Sequence, residues 1–152
     1  MESSSIGKIG QNLKYDAHVL ANVDINLNGI KDDTMVKSYC LDSVASRHNM
    51  DDLALHYLGH ETIHYSDVAG SGKKQLTFNQ VSIEDAMPYA CEDVIVTNEL
   101  NNLFESKLQS FPKLLALYKT IELPLIKVML RLERNGALLD EMSLLNLSLI
   151  HI

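Results

Sequence analysis

Cysteine is nearly absent from this chain: Cys40 and Cys91 are the only two in 152 residues. Their positions show neither metal-ligand spacing nor a disulfide framework, so both read as buried thiols in a reducing compartment. Long apolar runs are missing too. The longest are interrupted by Lys, Glu or Pro, none is long enough to span a bilayer, and no secretory signal opens the chain. A cytoplasmic location without a membrane partner is the expectation. Internal repeats and low-complexity tracts are also lacking. Positive charge is scarce, since 13 Lys and Arg face 20 Asp and Glu, for a formal net charge of −7. That balance argues against broad electrostatic attraction to nucleic acid, because neutralising phosphates with Lys and Arg supplies most non-specific affinity. The 46% apolar content that remains is enough for one core in one domain.

The pattern of apolar residues predicts a short buried strand from Ile6 to Gly10, then a helix from Asn12 to Val23. That helix has Asn12 at its cap and Leu13, Ala17, Leu20 and Ala21 inward. A turn at Asn28-Gly29 leads to a second strand, Ile30 to Thr34. Helices follow at about Met35 to Leu41 and Asp51 to Leu58, the latter closed by Gly59. Gly70-Ser71-Gly72 and the adjoining lysines read as a flexible loop. Ser82-Ile83-Glu84-Asp85 has helix-start chemistry, and Pro88 suits a first turn of a helix running to Leu108. A short helix near Leu114 to Thr120 and another from Pro124 to Asn135, ended by Gly136, complete the pattern. The leucine-rich stripe from Leu114 to Leu132 reads as core or domain-interface packing.

Two short helical signatures carry the chemistry: Asn12-Leu13-Lys14-Tyr15-Asp16 and Tyr89-Ala90-Cys91-Glu92-Asp93. Each sets a carboxylate four residues after a polar partner, on the same helical face. Two such faces meeting in a cleft would suit Mg2+ or Mn2+, which prefer carboxylate oxygens. Metal pairs roughly 3.5–4 Å apart are a common device for in-line displacement at a phosphodiester. Taken singly, Asp16 would read as an exposed helix carboxylate, Asn12 as a cap, and Tyr89 as a core aromatic with a hydrogen-bonded tip.

Ile9 to Asp16 resembles the second exonuclease motif of the proofreading 3′–5′ exonuclease domain found in bacterial DNA polymerase I, of the family A DNA polymerases. Tyr89 to Asp93 resembles the third motif. Between them, Asp33-Thr34-Met35, Ser43 to His48 and Gly72 to Gln80 match the connecting segments in order. After them, Ile121 to Leu125 and Glu133-Arg134-Asn135-Gly136 resemble the entry into the polymerase domain. The fold class this implies is α/β, a ribonuclease H-like exonuclease fold. It is expected to be incomplete, with its first strands missing and the remainder mostly helical, because the family's opening Asp-x-Glu motif does not precede Gly10. The implied division is 1–120 for the later part of the exonuclease domain and 121–146 for the start of the polymerase domain. Residues 147–152, Leu147 to Ile152, are expected to be a non-native tail.

The resemblance also implies roles. Asp93 would bind one metal of a two-metal Mg2+ or Mn2+ site directly, Asp16 would hold the second, and Tyr89 would orient the attacking water. Asn12, Arg47 and Tyr65 would contact substrate. Tyr65 would stack on a base, a contact worth about 1–3 kcal/mol. The implied partners are a single-stranded DNA 3′ end and the remainder of the polymerase chain. Lys14, Arg47, His48, Lys73 and Lys74 are candidate local positives that offset the acidic net charge, although such side chains are usually solvated. Two other readings stay open: a stand-alone ribonuclease D-like exonuclease, and a non-catalytic scaffold that keeps the fold. The polymerase-entry segment argues against the first, and retention of Asp16, Tyr89 and Asp93 against the second.

Overall fold

The computed structural model of the chain describes residues 1–44 and 47–150, apart from the side chains of Lys74 and Ile150. The expectations on Ala45, Ser46, His151, Ile152 and the Lys74 side chain lie outside the described residues. Strand β1 (Lys8–Gly10) feeds helix α1 (Leu13–Ala21), which crosses to β2 (Ile30–Asp33), and the two strands pair in parallel with Gly10 beside Asp33. This βαβ unit is the small sheet of an otherwise helical molecule. Gly10 is needed where β1 hands over to α1, because a Cβ there would stand 2.4 Å from Leu13 Cδ2. The expected first strand is shorter than Ile6–Gly10 and only half-buried; Ile6 is exposed, since no further strand covers that edge among the described residues.

Helices α2 (Thr34–Leu41), α3 (Met50–Leu58) and α4 (Tyr65–Ala69) follow, then 3-10 turns at Gly72–Lys74 and Phe78–Gln80. Gly59 closes α3 in the left-handed region, as its position predicts. Helix α5 (Ile83–Gln109) is the long spine, with Ser82 accepting from the Asp85 N–H at its cap. Pro88 lies inside α5 rather than in a first turn, because the Ser82 cap starts the helix earlier and the proline forfeits one ladder bond in its second turn. Leu53 and Ala54 of α3 meet Val96, Leu100 and Phe104 of α5 in the main core, with the Tyr57 ring edge-on to Phe104 at 4.9 Å.

Helix α6 (Pro112–Leu117) passes through a π turn, Tyr118–Glu122, into α7 (Leu123–Asn135), and α8 (Glu141–Ile150) follows. The π turn sends the fully buried Tyr118 ring inward. Its hydroxyl accepts from the Asp33 N–H at 3.0 Å and donates to Asp32 at 3.1 Å. Beneath it the fully buried Lys37 ammonium meets Asp32, Glu105 and Asn101 at 2.8–2.9 Å, tying β2 and α2 to α5. The leucine-rich stripe contributes less to the core than its composition suggests: Ile126 is buried, but Leu125, Val128, Met129 and Leu132 are exposed. Every described side chain of α8 is exposed, and the expected tail begins within this helix.

Candidate functional site

The first signature, Asn12 to Asp16, opens at a strained position. Asn12 adopts φ 60, ψ 50, the left-handed region that asparagine tolerates better than most residues. It holds the cap position, but its side chain makes no capping bond. The buried Asp33 carboxylate does that work from β2, accepting from the Asn12 N–H at 3.2 Å and the Leu13 N–H at 2.7 Å, and it also accepts from Val36 N–H at the start of α2. One side chain therefore caps two helices. Asp16 stands a turn further along α1, and burial together with the Asp33 charge raises its pKa above the ordinary carboxylate value. Lys14 and His18 turn the other way, to Glu133 of α7 at 2.5 and 2.8 Å.

The second signature, Tyr89 to Asp93, sits on α5 where α3 and α4 converge. Asp93 Oδ1 is buried without a hydrogen-bond partner among the described residues, and the pKa of the carboxyl is raised by desolvation first, then by the charges of Glu92 and Asp51. Tyr89, one turn earlier, is raised by desolvation and by Asp93, Asp51 and Tyr65. Tyr89, Tyr65 and Phe78 form a ring cluster with centroids 6.0–6.4 Å apart, within the range in which aromatic rings attract. Tyr65 is partly exposed, and its hydroxyl donates to the Leu76 carbonyl at 3.2 Å.

Two straps hold this corner together. Glu92 accepts from the Ile63 N–H at 2.6 Å and pairs with His60 at 2.8 Å, so its pKa falls, the backbone bond being the larger cause. Asp51, near the start of α3, accepts from the Thr62 hydroxyl at 2.7 Å and lies 3.4 Å from His64. On the neighbouring face of α5, a cleft of about 390 Å³ is lined by His60, Ile63, Cys91, Glu92 and Ile95 among others.

Among the predicted residues, Tyr65, Tyr89 and Asp93 are thus brought together, and Asn12 caps the helix α1 that carries Asp16. Asp16 and Asp93 each have their own charged neighbours, and no hydrogen bond or charge interaction among the described residues links them. Arg47 is exposed, away from any described partner. His48 is not solvated: it is buried, stacked on Tyr39 at 3.7 Å and within 2.9 Å of the Ser38 hydroxyl, because α2 closes over it. The thiols also depart from expectation. Cys91 is exposed in the wall of the cleft on α5, and Cys40 is only half-buried, with its pKa pushed up to about 11 chiefly by burial.

Residue-by-residue reading missed Asp33 and Asp51. Asp33 had a signal, since an aspartate closing a strand just before a helix is a natural N-cap. Asp51 had none, because only tertiary packing brings the start of α3 beside Tyr89 and Asp93.

Among the described residues, no three His, Cys, Asp or Glu side chains gather to hold a metal ion. The donor set still fits magnesium, which commonly takes one or two protein carboxylates and fills its remaining positions with water and substrate phosphate. Asp93 Oδ1, buried and unpartnered, is the oxygen such an ion would take.

The family model described as 3′–5′ exonuclease, of the family A DNA polymerases, matches residues 1–109, and the chain belongs to that family. DNA polymerase I of Pseudomonas aeruginosa is 54% identical over 135 residues, which cover 88% of this chain and 15% of that protein. The DNA polymerase I of Rhizobium leguminosarum is 41% identical over 148 residues, 97% of this chain and 14% of that one. The DNA polymerase of Escherichia phage T5 is 25% identical over 155 residues, 90% of this chain and 18% of that one. The chain spans about a seventh of the length of the bacterial relatives it matches.

Proposed function

We propose that this chain carries part of a metal-dependent 3′–5′ proofreading site within a DNA-directed DNA polymerase of the family A type, which removes 3′-terminal nucleotides of DNA as 5′ monophosphates. The reading assigns 1–120 to the exonuclease domain and 121–146 to the entry of the polymerase domain. The observation that carries it is the unpartnered Asp93 oxygen beside Tyr89 in a family whose members hydrolyse DNA ends.

Asp93 would hold one divalent ion directly, and Asp16, more open to solvent, would hold a second through water. When bound, Mg2+ or Mn2+ supplies Lewis acidity, lowering the pKa of water and offsetting charge on the attacking and leaving oxygens. Tyr89 orients the attacking water through its phenol; burial and neighbouring carboxylates keep that phenol protonated, so it remains a hydrogen-bond donor. The water oxygen bonds to phosphorus, the 3′ oxygen of the penultimate nucleotide leaves, and it takes up a proton. Asn12, whose side chain is not engaged in capping, would contact the terminal nucleotides. Tyr65 would offer its open face to a base and Arg47 would hold a phosphate.

In the complete polymerase, Asp93→Ala is expected to abolish 3′–5′ degradation of single-stranded DNA while nucleotide incorporation persists. Undiminished degradation by that variant would remove the reading.

A further inference from the structure

Phe78 took no part in the sequence reading of the site, yet it closes the ring cluster. Its centroid lies 6.0 Å from Tyr89 and 6.2 Å from Tyr65. It is carried on a turn that is anchored at several points. Thr77 N–H donates to the Gln80 side chain at 3.1 Å, Leu76 N–H donates to Ala69 at 2.8 Å, and Tyr65 reaches back to the Leu76 carbonyl. The turn therefore comes to α5 as a braced unit.

A nucleobase sandwiched between Phe78 and Tyr65 would need two van der Waals contacts of about 3.5 Å each between parallel rings. The observed 6.2 Å and 34° tilt leave no such slot. What Phe78 does touch is Tyr89, whose ring it meets at 58° while Tyr65 meets the same ring at 70°. A ring held between two others has its side-chain torsions restricted, and its phenol oxygen is aimed by the wedge.

We propose that Phe78 is a positioning residue for the nuclease reaction: with Tyr65 it wedges Tyr89, so that the turn Phe78–Gln80 sets where the Tyr89 phenol stands relative to Asp93. This rests on the role given to Tyr89 above. Phe78 acts through Tyr89 and leaves substrate affinity to other groups.

The test is steady-state nuclease kinetics of the full-length polymerase on single-stranded DNA with Mg2+, with nucleotide incorporation and the thermal midpoint measured alongside. Phe78→Ala is expected to lower kcat roughly tenfold, in line with the cost of small misplacements at a reacting centre, and to leave KM within about twofold. Phe78→Tyr should restore kcat. Combining Phe78→Ala with Tyr89→Phe should cost no more than Tyr89→Phe alone, since a residue acting through the phenol has nothing left to position.

A raised KM at unchanged kcat would overturn the proposal and make Phe78 a DNA contact. Fully multiplicative losses, or no loss, would overturn it as well. If Phe78→Ala lowers the thermal midpoint and incorporation together, Phe78→Leu, which keeps most of the volume but not the flat ring, carries the same comparison. Asp93→Ala in the same preparation separates the two failures. If it degrades DNA normally, the nuclease reading falls; if it is inactive while the Phe78 variants behave as wild type, only the role of Phe78 falls.

Discussion

Asp33 is the residue on which the second motif hangs, and nothing in its immediate sequence announces that it serves two helices. Its carboxylate accepts backbone N–H bonds from Asn12, Leu13 and Val36 while almost fully buried. Losing a single cap typically costs about 0.5–2 kcal/mol. Asp33→Ala is therefore expected to destabilise the chain by roughly 1–4 kcal/mol, the sum of two caps, as read from the urea midpoint. An unchanged midpoint would mean that water replaces the carboxylate. Asp51 acts at the other motif through its charge, which helps to raise Asp93. Removing that charge lowers the Asp93 pKa. The acid limb of exonuclease activity in Asp51→Asn should accordingly move to lower pH, and a shift to higher pH or none would show that Asp51 does not act on Asp93.

At the scale of elements, the link between the βαβ unit and α5 is ionic. Lys37, fully buried, holds Asp32, Asn101 and Glu105, and leaving such a partner uncompensated usually costs about 3–5 kcal/mol. Lys37→Ala is expected to lose stability on that scale in a denaturant melt. The Lys37 hydrogen bond is the main reason that Glu105 has a lowered pKa, with Lys119 adding to it. The folded state thus binds the Glu105 proton less tightly than the unfolded chain does. Its contribution is fully present above the ordinary value of 4.5 and disappears as pH falls through the lower folded value. The difference in thermal midpoint between wild type and Glu105→Gln should shrink as pH drops below that ordinary value. A difference independent of pH would assign the effect of Gln to packing. Asp33, whose pKa is raised by burial, works in the opposite sense and is common to both proteins, so it cancels from the comparison.

For the whole molecule, the two carboxylates proposed to hold metal stand on separate helices, Asp16 on α1 and Asp93 on α5. The isolated 152-residue chain, given Mg2+ and single-stranded DNA, is expected to release nucleotides only at background, whereas the full-length polymerase releases them readily. Degradation by the isolated chain that vanished on Asp93→Ala would overturn this. No helix among the described residues is long and apolar enough to cross a membrane.

Much of this was legible in the order of residues, and for local reasons. Helix starts and stops at Gly59, Ser82 and Gly136 depend on caps a few residues away, and the family follows from motif order along the chain. Asn12, Asp16, Tyr89 and Asp93 could be chosen because their four-residue spacings fall in motifs that stand in the family's order along the chain. What lies opposite them was decided only by packing. Asp33 replaced Asn12 as the capping group, Asp51 came to stand beside Asp93, Phe78 closed on Tyr89, and His48 and Lys37 left solvent for the interior. Each of these joins residues on different elements, where a burial penalty has to be met by a partner distant in sequence, and no local periodicity encodes that partner.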